Sequence, residues 1–309
     1  MKKCLVLGAG GFIGSNLCRT LSELYDVRAF DIRGMEDLQQ VENVEVVYGD
    51  FVQMTDYTEL LQDVDIVYHL ICTTIPKDDT THIEDEIQKN LIPLTRLLEQ
   101  MVRRDIDNFV FISSAGTIYG EGGMEKKREQ DALCPVCSYG ALKEACEAYI
   151  QFYNSRYGKK YRIARVTNPY GAGQRQSKKQ GIIPIFMNRL LNGEGITVFG
   201  TGENVRDYIF IPDLIDALVK LGQYTGDVTV FNVGCGKTYS IREVISLIET
   251  TAGMQFTNID YSSERFCDVM ISDVNLDRLH SELQWHAKTE LEEGISILWN
   301  YFKDENGVS

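Results

Sequence analysis

The chain is poor in positive charge. Its 31 lysines and arginines face 45 aspartates and glutamates, giving a net charge of −14 at neutral pH. So acidic a surface argues against general binding to nucleic acid or to an anionic membrane. It leaves room for an anionic ligand, because a few convergent arginines can hold a diphosphate on an acidic protein. Long apolar runs are also missing: none approaches the roughly 20 residues needed to cross a bilayer. Internal repeats and low-complexity segments are absent. Met1-Lys2-Lys3-Cys4-Leu5-Val6-Leu7-Gly8 runs straight into a strand and a glycine turn, unlike a secretory signal. The eight scattered cysteines then read as reduced thiols in a cytoplasm.

Metal ligands at useful spacing are scarce too. Cys134-Pro135-Val136-Cys137 is a C-x-x-C, but no second such pair or histidine pair completes a tetrahedral zinc site. The motif leads into a helix instead of opening a thioredoxin-like unit. Inert thiols and no metal are expected.

What is there is an ordinary globular composition, 44% hydrophobic and 25% charged over 309 residues, enough for two lobes. Strand-like runs at 3–7, 26–30, 44–48, 65–70, 108–113 and 161–166 alternate with helical patterns at 12–23, 81–104 and 139–157. Alternation of this kind predicts an α/β fold with a Rossmann-type doubly wound parallel sheet. Ligands then bind along the crevice at the strand carboxyl ends. After Val166 the rhythm breaks at Asn168-Pro169-Tyr170-Gly171-Ala172-Gly173-Gln174, and residues 176–180 are polar and basic. Residues 1–167 read as a dinucleotide-binding domain. Residues 168–309 read as a smaller, mixed α/β substrate-binding lobe, with helices at 182–192, 212–221 and 240–251 and strands at 197–199, 228–233 and 255–260. The chain is expected to re-enter the first domain near 206–233, and to fray after Phe302.

Gly8, Gly11 and Gly14 fit G-x-x-G-x-x-G between a strand and a helix. The pattern supplies a tight turn, a close backbone approach to a pyrophosphate, and helix amides for its charge. Asp31 ends the next strand, where it would accept bonds from the adenosine ribose and repel a 2′-phosphate. That favours NAD over NADP, although Arg33 nearby could receive such a phosphate. Asp50 closes the third strand, either at an adenine edge or as a plain turn residue.

Farther along stands Ser138-Tyr139-Gly140-Ala141-Leu142-Lys143. A tyrosine of ordinary pKa near ~10 is a poor base at neutral pH. A lysine one turn along the same helix face stabilises the phenolate. With a nicotinamide beside it, such a pair does redox chemistry on an alcohol. A protein that merely senses NAD needs neither residue.

The set Gly8–Gly14, Tyr68-His69-Leu70, Phe111–Gly120, Tyr139–Lys143, Arg165–Gly171, Arg206-Asp207-Tyr208-Ile209 and Arg265-Phe266-Cys267-Asp268 resembles the extended short-chain dehydrogenases/reductases of the NAD-dependent epimerase/dehydratase family. Within it the UDP-hexose 4-epimerases are nearest, and the match runs from Met1 to about Trp285. The resemblance implies a catalytic base at Tyr139 and its lysine at Lys143. It implies an NAD site made by Gly8, Gly11, Phe12, Ile13, Gly14, Asp31, Asp50, Phe51, Leu70, Tyr139 and Lys143. It places Asn168, Arg206, Tyr208, Arg265 and Asp268 on a nucleotide-sugar diphosphate and ribose, with Thr117 also at the substrate. Ser272 falls where the family tunes the width of the hexose pocket.

One departure is informative. Family members commonly carry a serine or threonine where this chain has Ala115; Ser114 is the expected replacement and Thr117 the alternative. Dehydratases place Asp-Glu at the positions of Gly116 and Thr117, so elimination would lack its acid and base here. The implied activity is a 4-epimerase that oxidises C4 to a ketone and returns hydride to the other face. A 4-ketoreductase or dehydrogenase with net cofactor turnover is the alternative. A homodimer is expected, built on the helices at 81–104 and 139–157. The latter carries Ala141, Leu142, Ala145, Ala148, Tyr149 and Phe152, more apolar surface than one covered face requires.

Overall fold

The structure is a computed structural model and describes residues 1–76, 82–121, 123, 125–174, 181–263 and 268–307. Seven strands form one sheet in the spatial order Val230–Val233, Arg162–Val166, Asn108–Ser114, Ile66–His69, Lys3–Leu7, Asp26–Asp31 and Val44–Tyr48. Every neighbouring pair is parallel. The chain winds outward from Lys3–Leu7 through Val44–Tyr48, then crosses back to Ile66–His69. That reversal opens a crevice at the carboxyl end of Lys3–Leu7, where an open α/β sheet binds its ligand.

Successive side chains of a strand face opposite sides of the sheet. Val6 accordingly packs with Leu17, Tyr68, Leu214 and Leu218 on one face. Leu5 and Leu7 pack with Leu97, Phe109, Leu142 and Ile150 on the other. Helices Phe12–Leu21 and Ile211–Gln223 cover the first face; Ile92–Arg103 and Ser138–Tyr157 cover the second. The doubly wound sheet is as expected. Strand Val230–Val233 pairs with Arg162–Val166 in this sheet, and the Tyr68 hydroxyl donates to the Leu218 carbonyl at 3.3 Å.

A smaller assembly centres on Val205–Phe210, which pairs with Asn168–Tyr170, Thr238–Ser240 and Ile271–Ser272. Ile196–Phe199 pairs with Ile259–Ser262 alongside. Its own core includes Tyr170, Phe186, Tyr208, Ile245 and Trp299.

Several local expectations differ from what forms. The helix expected over 81–104 is α-helical at Ile83–Glu86, a π-turn at Ile87–Leu91 and α-helical again at Ile92–Arg103. Pro93 has no N–H for a regular ladder, and Asn90 Nδ2 donates to the Glu86 carbonyl at 2.8 Å. The strand expected at 255–260 begins at Ile259, because the chain leaving helix Ile241–Ala252 is first held by Phe256 N–H donating to Glu249. Helix Leu291–Asn306 continues past Phe302, which is buried in the second core, so no fraying begins there. Leu142 is buried in the core of the large sheet, while Ala141, Ala148, Tyr149 and Phe152 are exposed. The basic stretch 176–180 lies outside the described residues.

Candidate active site

Gly8 follows the central strand, and its amide and that of Ala9 donate to the Phe30 carbonyl at 2.9 and 3.2 Å. Helix Phe12–Leu21 starts from Gly11 with no side-chain cap and no acidic residue in its first turn. The amides of Phe12, Ile13 and Gly14 therefore face the crevice without a competing anion. Gly14 is fixed by proximity: a Cβ there would stand 2.1 Å from the Gly8 carbonyl oxygen. Gly10, which the motif leaves unassigned, is equally constrained, since its Cβ would meet the Arg33 carbonyl oxygen at 2.0 Å. Its amide donates to Asp31 Oδ2 at 3.0 Å, and Ile32 N–H donates to Oδ1 at 2.7 Å. Asp31 is thus pinned at the strand end against the glycine turn. An uncapped helix start beside a fixed carboxylate fits the pyrophosphate and adenosine ribose of a dinucleotide.

Asp50 accepts from Val52 N–H at 2.9 Å as a turn aspartate does. Phe51 is buried, its ring 5.2 Å from those of both Tyr57 and His69. Leu70 packs on the core beside Gly8.

Helix Ser138–Tyr157 carries Tyr139, Lys143 and Glu147 at four-residue spacing, on one face. Lys143 is buried, donates to the Ile112 carbonyl at 2.7 Å, and lies 4.7 Å from the Phe111 ring centre and 5.8 Å from that of Tyr139. Burial opposes its charge, but Cys72, Tyr139, Cys146 and Glu147 favour it, and its pKa ends above the ordinary lysine value. Burial also governs Tyr139, pushing the phenol up to about 12, while Lys143 and the nearby Ser114 hydroxyl act downward. The lysine works in the expected direction without setting the net shift. In the chain alone the phenol is protonated at neutral pH, and further positive charge in the pocket would be needed to bring its pKa down.

Below this pair lies a buried network that sequence reasoning missed. Arg165 Nη2 stands 2.6 Å from Glu147 Oε2, both side chains 5% exposed. Arg165 Nη1 also donates to Tyr119 Oη at 2.7 Å, and Tyr119 donates to Asn232 Oδ1 at 2.7 Å. The helix carrying Tyr139 and Lys143 is thereby tied to two strands of the sheet.

The facing wall comes from the smaller assembly. Asn168 Nδ2 donates to the Asp207 carbonyl at 2.8 Å. A Cβ on Gly116 would lie 3.8 Å from Ser272 Oγ and 4.0 Å from Asn168 Oδ1, so these three positions converge. Arg206 is paired with Asp268 and donates to the Val205, Val269 and Met270 carbonyls. Tyr208 is buried in the second core. Arg265 lies outside the described residues. Asp207, within the quoted Arg206–Ile209 motif but given no role there, is fully buried and accepts from Thr167 Oγ1 at 2.9 Å and from the Cys235 and Gly236 amides at 2.9 and 2.8 Å. It ties the two walls together. Among the described residues no cluster of three metal-ligating side chains forms, and no helix is long and apolar enough to cross a membrane.

Known proteins share this fold. A profile described as the NAD dependent epimerase/dehydratase family matches residues 4–234. A putative UDP-glucose 4-epimerase of Methanocaldococcus jannaschii is 30% identical, over 98% of this chain and 99% of its own. A dTDP-4-dehydro-6-deoxyglucose reductase of Escherichia coli is 29% identical over 95% of each chain. The crystal structure of a Thermotoga maritima UDP-glucose 4-epimerase with UDP-glucose superposes with a TM-score of 0.90 at 28% identity, covering 98% of this chain and 99% of that one.

Proposed function

Because the chain belongs to the NAD-dependent epimerase/dehydratase family, we propose that it is a nucleotide-sugar 4-epimerase acting on UDP-glucose- and UDP-galactose-type sugars or their N-acetyl forms. The observation that carries this reading is the Ser114–Tyr139–Lys143 cluster at the crevice, with Gly116 and Thr117 where elimination would need carboxylates. NAD fits the uncapped helix start and Asp31, and the chemistry it supplies when bound is reversible hydride transfer at C4 of the sugar. Tyr139 takes the proton of the C4 hydroxyl and returns it, Lys143 stabilises the phenolate, and Ser114 donates to the reacting oxygen. Asn168, Arg206, Tyr208, Arg265 and Asp268 are assigned to the nucleotide diphosphate and ribose, held while the hexose turns. For that, Arg206 would exchange part of its pairing with Asp268 for phosphate.

The reductase relative supports a second reading, a 4-ketoreductase with net cofactor turnover. One experiment separates them. Incubation with UDP-, dTDP- and GDP-sugars, with products read by NMR, should show interconversion of C4 epimers with no net change in NADH absorbance. Stoichiometric oxidation of NADPH by a 4-keto sugar, with no inversion, would instead establish the reductase. Tyr139→Phe should abolish turnover while NAD and UDP still bind.

The protein is proposed to work in the cytoplasm as a homodimer. Exposed Tyr149 and Phe152 on one long helix and Ile83, Ile87 and Ile92 on its neighbour offer an apolar surface for a second copy. A single-chain mass by light scattering at micromolar concentration would refute the dimer.

A further inference from the structure

Ser114 occupies the N-cap of the short helix Ala115–Ile118, where a serine ordinarily accepts from a helix amide; here its side chain caps nothing. Instead it accepts a hydrogen bond from Thr117 Oγ1 at 3.0 Å, and it stands near enough to the Tyr139 phenol to favour its ionised form. Thr117 is buried, so its hydroxyl is turned inward to Ser114. Its backbone is fixed as well: a Cβ on Gly140 would stand 2.5 Å from the Thr117 carbonyl oxygen, so the helix carrying Tyr139 rests directly on this turn.

We propose that Thr117 is a positioning residue that acts through Ser114. A hydroxyl has one proton and two acceptor lone pairs, and an isolated one rotates freely. By filling an acceptor site on Ser114, Thr117 leaves the Ser114 proton directed at Tyr139 and the oxygen that reacts there. The pair thereby stands in for the single hydroxyl that would otherwise come from position 115, where this chain has alanine. Of the two hydroxyls considered as that replacement, one serves the reacting oxygen and the other holds it in place. This inference rests on the assignment of Tyr139 as the proton-transfer group.

The test compares Thr117→Val, which keeps shape and loses the hydroxyl, with Thr117→Ser, which restores it. Thr117→Val should lower kcat roughly 3- to 30-fold, less than the loss of a direct transition-state donor, with KM unchanged and the rising limb of the pH profile moved to higher pH. Thr117→Ser should return to within about twofold of wild type. Added to Ser114→Ala, Thr117→Val should cost nothing further, because its effect passes through the same oxygen. An independent readout is the titration of Tyr139 by NMR in ζ-13C-tyrosine protein saturated with oxidised NAD, whose positive charge brings the phenol into range, its signal identified by loss in Tyr139→Phe; that titration should move upward in Thr117→Val. A wild-type rate in Thr117→Val, failure of Thr117→Ser to rescue, multiplying losses in the double variant, or a rise in KM alone would each overturn the proposal. Wild-type protein that inverts no nucleotide sugar would sink the epimerase reading, and the tyrosine titration would still judge the link from Thr117.

Discussion

Lys143 reaches across from its helix to the carbonyl of Ile112, 2.7 Å away, and so fastens the helix that carries Tyr139 to the strand that ends in Ser114. That bond fixes where the ammonium sits relative to Tyr139 and leaves two of its three donors for other partners. Lys143→Ala should lower kcat about 100-fold or more, within the range for general acid–base groups. The pH optimum should move upward, since the charge that favours the phenolate is gone. An unchanged profile would show that the lysine only supports the fold.

Asp31→Ala should weaken NAD binding about ten- to a hundredfold, the scale of a lost charge-assisted hydrogen bond. NADP should be affected less, because a repelling charge goes with the same side chain and Arg33 stays. Titration of both dinucleotides by calorimetry reads the narrowing. If both weaken equally, the role of Asp31 is confined to holding the Gly10 and Ile32 amides.

Breaking the Arg165–Glu147 pair should be costly for stability. Removing one member leaves the other charge buried and unpaired, which typically costs about 3–5 kcal/mol. Glu147→Ala should therefore lower the midpoint of thermal or urea unfolding markedly. Replacing both members with apolar residues should recover part of the loss.

His69 predicts how stability falls in acid. Burial first, and the Lys143 charge second, lower its pKa from 6.5 to about 3. As pH falls below 6.5 the unfolded chain takes up a proton that the folded chain refuses. The stability due to the neutral ring is complete above 6.5 and is lost progressively toward 3. His69→Leu should flatten that part of the stability–pH curve, measured by urea unfolding across the window. An equally steep curve in the variant would assign the acid sensitivity to other groups.

The parts legible in the sequence are those whose chemistry is encoded by local spacing. Gly8, Gly11 and Gly14 announce a turn and a helix start, Asp31 follows at the next strand end, and Tyr139 and Lys143 share a helix face at i, i+4. What escaped depends on partners far away in the chain. Asp207 lies 28 and 29 residues from the Cys235 and Gly236 amides that satisfy it. Strand Ile271–Ser272 has only two residues, and only its register with Val205 and Arg206 makes it a strand. Thr117 and Ser114 are close in sequence, but an uncapped serine cannot be told from a capping one until the turn is built.

The edge strand Val230–Val233 carries a consequence for how this protein comes into being. The outermost place in the large sheet, beside Arg162–Val166, is filled by residues synthesised long after the other six strands. Until they emerge from the ribosome, Arg162–Val166 presents an open row of backbone donors and acceptors to any passing strand. A nascent chain paused before residue 230 should therefore depend on chaperones, and a fragment ending at 167 should aggregate however complete its glycine turn and Tyr139–Lys143 pair. The glycine turn and the Tyr139–Lys143 pair are encoded early in the chain, and their protection is encoded late.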